Sequence, residues 1–140
     1  MSFETITTAR EGDVLTITLN RPERLNACPP DMADEIFTAI RDLDGARAVL
    51  ITGAGRAFCS GADLAARGER SVGGGEGAFT ALGRHYNPMV MALASLPVPV
   101  IAAVNGPAAG IGCSIALAAD FVIAGSSAYF LQAFVNIGLV

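Results

Sequence analysis

The chain has 140 residues, 52% of them hydrophobic and only 16% charged, with a formal net charge of −4 and a mean hydropathy of +0.51. That composition excludes a disordered or fibrous chain and fits one well-buried globular unit. The acidic balance comes without any Lys/Arg cluster, which argues against a nucleic-acid or anionic-membrane surface and leaves a small molecule or a protein as the partner.

In chain order, residues 3–9 and 14–19 read as a hairpin, with Leu15, Ile17 and Leu19 alternating with Val14, Thr16 and Thr18 and a Glu11-Gly-Asp turn between. A loop from Asn20 to Ala27 follows. Pro29 and Pro30 with Asp31 mark a helix start, and Met32, Ile36, Phe37, Ile40 and Leu43 share one face up to about Gly45. Val49–Thr52 is a buried strand, Ala62–Arg67 a short helix, and the glycine-rich stretch 68–77 a mobile loop. Phe79, Leu82, Tyr86, Met89, Val90 and Leu93 restore helical spacing. Val98–Val104 reads as a second buried strand, Ala108–Ala119 as a second helix, and Phe121–Ala124 and Ala128–Phe130 as short strands. The apolar run from Leu96 to Ala124 is broken by Pro97, Pro99, Asn105, Gly106, Pro107 and Asp120, so it is not a membrane span. Residues 1–140 read as one domain. An apolar end at Gly138-Leu-Val140, together with a high hydropathy for so short a chain, predicts a continuation of the polypeptide or a partner covering that surface.

Cys28, Cys59 and Cys113 show neither CxxC nor metal-ligand spacing. An odd count behind an N-terminus that lacks a signal-peptide pattern predicts free thiols in the cytosol, and no metal site. His85, the only histidine, has no identifiable catalytic partner and reads as a surface residue.

Two segments carry the chemistry. Ala48–Asp63 and Pro99–Ser114 each run an apolar strand into a turn of small residues, and the second opens a helix. Two such turns can aim two backbone N–H donors at one carbonyl oxygen and stabilise an oxyanion, with the helix dipole assisting. A dinucleotide fold is the competing reading. It needs a small third residue in each G-x-G-x-x-G, and Phe58 and Ile115 stand there instead.

Leu19-Asn-Arg-Pro-Glu-Arg-Leu-Asn-Ala27, Ala57-Phe-Cys-Ser-Gly-Ala-Asp-Leu64, Pro99-Val-Ile-Ala-Ala-Val-Asn-Gly-Pro-Ala-Ala-Gly110 and Ala118-Ala-Asp-Phe-Val-Ile-Ala124 together resemble the crotonase, or enoyl-CoA hydratase/isomerase, superfamily. The resemblance implies an α/β fold, a spiral of repeated ββα units whose C-terminal helical region lies outside this chain, assembled as trimers or hexamers. It implies an acyl-CoA thioester as substrate, with CoA carried by that substrate and no separate cofactor. It places the oxyanion N–H groups at Ala62 and Ile111. Arg24, Asn26, Ala27, Asp63, Leu64 and Gly110 then line the CoA and thioester path, and the loop 68–77 lies beside the acyl pocket.

Hydratases of that family use two glutamates, at positions held here by Ser114 and Phe134. Hydration by paired carboxylates is therefore disfavoured, and these two residues become pocket wall. The run Phe130–Val140 is similar to the branch containing ring-1,2-epoxyphenylacetyl-CoA isomerases, in which an acid/base Asp follows the Gly-Leu-Val. The expectation is a double-bond isomerase. Its rivals are a non-catalytic acyl-CoA-binding subunit and a thioester hydrolase.

Overall fold

The alternation near the N-terminus becomes a hairpin in the computed structural model, which describes residues 2–63, 75–132 and 136. Strands β1 (Ile6–Glu11) and β2 (Val14–Leu19) pair antiparallel, with Ile6 opposite Leu19 and Glu11 opposite Val14. Strands β3 (Ala48–Gly53), β4 (Val100–Val104) and β6 (Phe121–Ala124) then add parallel to β2, giving a five-stranded sheet in the order β1-β2-β3-β4-β6. Parallel neighbours require crossovers, and helices supply them.

The first crossover is α1 (Pro30–Arg41). Proline at its first turn, Asp31 near its N-terminus and Arg41 in its last turn suit the two ends of the helix. Its Met32, Ala33, Ile36, Ala39 and Ile40 are buried and join Ile17, Leu19, Val49 and Ile51 of the sheet in one core. The second crossover contains a continuous run of helix, α2 (Gly75–Ala81), a π turn (Leu82–Tyr86) and α3 (Asn87–Ala94). The Asn87 N–H donates to Leu82 O across the wide turn, just before Pro88, which has no N–H to continue the regular ladder.

This π turn corrects the expected apolar face. Tyr86, Met89 and Leu93 are buried as predicted, but Phe79 is 78% exposed and Leu82 is exposed as well. One extra residue in the turn shifts the phase of the helix before it, so that Phe79 falls off the core-facing stripe while Ala81 packs against the core. Of the predicted loop 68–77, residues 75–77 are the first turn of α2, and the remainder lies outside the described residues.

The expected helix over 108–119 is also corrected. Ala108–Ala109 form a short strand, β5, paired in parallel with β7 (Phe130–Leu131), and helix α4 spans Ile111–Leu117. The backbone explains the shift. Ala108 N donates to Tyr129 O, Ala109 N to Cys59 O and Gly110 N to Leu131 O, so these amides are engaged sideways, and Gly110 at φ 54° breaks the helical path. Main-sheet strand, short second-layer strand and helix (β4, β5, α4) make one turn of the spiral, and β6 with β7 begins another. After β3 the second-layer position is held by single parallel bridges, Cys59 to Ala108 and Cys28 to Ala62. Ala62 and Asp63 are therefore not the start of a helix, and 64–67 lie outside the described residues.

Candidate functional site

The loop after β2 is held by its own polar groups. A 3-10 turn at Pro22–Arg24 leads into Leu25 and Asn26 at φ 51° and 54°, a left-handed conformation that Asn tolerates and Leu rarely adopts. The strain is held in place by hydrogen bonds: Leu25 N to Pro22 O, Asn26 N to Arg21 O, and Ser60 N to Leu25 O. Asn26 is fully buried. Its Oδ1 accepts from Arg21 N at 2.8 Å, and its Nδ2 donates to Ala54 O and Ala57 O at 2.9 Å each. Asn105 Nδ2 reaches the same Ala57 O at 3.3 Å, so the loops after β2, β3 and β4 meet at one carbonyl.

The segment 59–63 lies between two backbones. On one side, Cys28 N donates to Gly61 O at 2.7 Å and Asp63 N donates to Cys28 O at 3.1 Å. In a parallel bridge of this kind, the N–H of the intervening residue, Ala62, points to the opposite side. On that other side stands the turn before α4. A Cβ on Gly61 would lie 3.5 Å from Ala109 O, and one on Gly112 would lie 2.2 Å from Cys59 O. Only glycine at 112 lets the first turn of α4 approach this closely. Ile111 is the first residue of α4 and Gly110 its N-cap, so the Ile111 N–H has no partner within the helix. Among the described residues, neither the Ala62 nor the Ile111 N–H has a hydrogen-bond acceptor.

The other predicted positions surround this pair to different degrees. Asp63 accepts from Arg21 Nη1 at 2.7 Å with its side chain only 7% exposed, and the same Nη1 donates to Ala27 O at 2.7 Å. Arg24 is exposed, and its guanidinium makes no hydrogen bond among the described residues. Ser114 is half-buried on α4, one turn beyond Gly110. Leu64 and Phe134 lie outside the described residues.

The three thiols are buried and free. Burial pushes Cys28 well above the usual thiol range and Cys59 up to about 11, so both stay protonated near neutrality and neither is an activated nucleophile. His85 Nδ1 lies 2.9 Å from the Asp34 carboxylate on α1, at a partly exposed position. Every buried side-chain nitrogen and oxygen among the described residues has a hydrogen-bond partner.

Sequence reasoning missed three residues that organise the site. Arg21 ties the first loop to Asp63; its mark in the sequence is its place in the same quoted motif as Asn26. Gly112 permits the contact between α4 and Cys59, and its mark was the Gly-x-Gly spacing. Tyr86 donates to Cys28 O at 2.8 Å from a buried position. Nothing in the sequence distinguished that hydroxyl from the apolar residues on either side.

The parallel sheet, the second-layer strands and the helix-opening glycine turn define a protein of the crotonase fold. Residues 9–140 match the family described as Enoyl-CoA hydratase/isomerase. The chain belongs to that family. It is 48% identical, over its whole length, to a "Probable enoyl-CoA hydratase" of Rhodobacter capsulatus, of which it covers 53%. It is 46% identical, over 93% of its length, to the "1,2-epoxyphenylacetyl-CoA isomerase" of Escherichia coli, of which it covers 51%. Among solved structures, it superposes on a putative enoyl-CoA hydratase/isomerase from Mycobacterium abscessus with a TM-score of 0.87 and 38% identity, over 96% of this chain and 53% of that one. The chain thus spans about half the length of the curated relatives it matches.

Proposed function

We propose that this chain supplies the thioester-binding part of an acyl-CoA double-bond isomerase, in which the Ala62 and Ile111 N–H groups together hold the thioester oxygen as it gains negative charge. The supporting observation is that both N–H groups lack an acceptor among the described residues, while Gly61 against Ala109 and Gly112 against Cys59 bring their two backbones into contact. Two preorganised donors stabilise an enolate more than the thioester it comes from, which makes the adjacent C–H acidic enough to lose its proton. The exposed Arg24 guanidinium is suited to a CoA phosphate. Asn26, Ala27, Asp63 and Gly110 shape the path through their backbone and their internal bonds.

Isomerisation is preferred to hydration because Ser114 stands where the resemblance puts one of two water-activating glutamates. A serine without a basic partner cannot deprotonate water near neutrality. An isomerase needs only to move one proton between two carbons, a step for a single carboxylate supplied from outside the described residues. CoA enters as part of the substrate, and a trimer or hexamer in the cytosol belongs to the same proposal.

The test is to incubate the protein separately with a 3-enoyl-CoA and with a 2-enoyl-CoA in H2(18)O and weigh the products. Conversion of the 3-enoyl-CoA to the 2-enoyl isomer at unchanged mass supports the proposal. Gain of one labelled water by the 2-enoyl-CoA, with the 3-enoyl-CoA left unchanged, identifies a hydratase, release of free CoA a hydrolase, and tight binding of both without turnover a binding subunit. Ile111→Pro deletes one donor at a helix position that accepts proline, and it is expected to lower turnover by about 10²- to 10³-fold while far-ultraviolet circular dichroism stays unchanged.

A further inference from the structure

We infer that Tyr86 is a positioning residue for the Ala62 N–H, acting through the Cys28 carbonyl; the inference rests on the oxyanion reading above. Ala62 is not held by a ladder of strand hydrogen bonds. Its backbone is fixed by one isolated bridge to Cys28, made of Cys28 N to Gly61 O at 2.7 Å and Asp63 N to Cys28 O at 3.1 Å. The Ala62 N–H lies in the Gly61–Ala62 peptide, whose carbonyl accepts from Cys28 N, and the next peptide, Ala62–Asp63, donates to Cys28 O, so Cys28 holds both peptides that flank Ala62. Cys28 O accepts a second hydrogen bond, from Tyr86 Oη at 2.8 Å.

Tyr86 is itself well anchored. It is 6% exposed, it closes the π turn, and it shares a buried face with Met89 and Leu93 of α3. The wide turn sets this side chain in the core while Phe79 and Leu82 before it stay exposed. A phenylalanine would supply the same apolar ring, so what the tyrosine adds is the hydroxyl and the carbonyl it orients. The Arg21–Asp63 ion pair fixes the far end of the same segment. Tyr86 thus links the second crossover helix to the donor that faces the substrate oxygen.

The experiment compares the affinity of butyryl-CoA with that of S-butyl-CoA, a thioether lacking the carbonyl oxygen, so that the ratio reads the oxyanion donors alone. The unsubstituted protein is expected to prefer the thioester. Tyr86→Phe is expected to reduce that preference about fivefold, in keeping with the loss of its hydrogen bond to Cys28 O, with thioether affinity unchanged. Thr5→Val, which removes a hydroxyl bonded to Glu35 on the other side of α1, should lower stability and leave the preference intact. An unaltered preference in Tyr86→Phe overturns the inference while the oxyanion reading stands. No preference in the unsubstituted protein removes the oxyanion reading and this inference with it. Should Tyr86→Phe not fold, replacing both tyrosines of the chain by 3-fluorotyrosine strengthens the phenol as a donor without deleting it. A carbon-13 shift at the Cys28 carbonyl together with a changed thioester preference supports the assignment, and a shift without such a change overturns it.

Discussion

Asn26 shows how much of the site depends on single side chains. Its amide bonds the backbones of Arg21, Ala54 and Ala57, and its own left-handed φ is one that most other residues resist. Asn26→Ala is expected to cost about 3 kcal/mol, because it orphans buried backbone groups. Chemical denaturation would read that loss, and thioester affinity should fall with it even though the side chain faces the protein interior. Part of this was legible: the resemblance marked Asn26 as a candidate residue of the site. It could not reveal that the side chain works by bracing the loops, because two of its three partners, Ala54 and Ala57, lie in the loop after β3. Gly112 was hidden in the same way, since its constraint is the distance to Cys59 O and not a local backbone angle.

At the scale of elements, α1 is fastened to the start of β1 by Glu35, which accepts from Glu4 N, Thr5 N and Thr5 Oγ1 at 2.8, 2.9 and 2.6 Å. Burial alone would raise this carboxyl, but the hydrogen bonds outweigh it and hold it below its ordinary value of 4.5. A depressed folded value means that the group stabilises the fold above the unfolded value and that this contribution is lost as the pH falls through the folded one. Glu35→Gln should therefore lower stability at neutral pH by about 1 kcal/mol and flatten the acid limb of the stability profile, measured by thermal melts between pH 3 and 7. Strand and helix positions were readable from periodicity wherever the repeat ran uninterrupted, as in β2, α1 and β4. It failed at the π turn, where one inserted residue changes the phase, and at Ala108–Ala109, where partners distant in sequence hold two alanines extended against their local preference.

Over the whole molecule, the β6 edge of the sheet is both exposed and apolar among the described residues. All four residues of β6 are exposed, with Phe121 at 63% and Ile123 at 66%, and Tyr129, Phe130 and Leu131 lie exposed just beyond. An apolar strand with a free hydrogen-bonding side pairs readily with other chains. The 140-residue chain in isolation is expected to self-associate with rising concentration, as read by light scattering, and Ile123→Lys should shift that onset upward at least several-fold. The sequence signalled this surplus through its mean hydropathy, though not its address, which depends on β6 being outermost in the sheet.

The meeting of three loops at Ala57 O also bears on the order of events during folding. Each loop follows a strand whose parallel neighbour lies far away in the sequence, and contacts of that kind form late because long segments must first be brought together. No short stretch of the chain can organise this site before the sheet exists. The arrangement that orients the two amides is then among the last features to arise in a slow, cooperative process, and its appearance reports that the rest has already assembled.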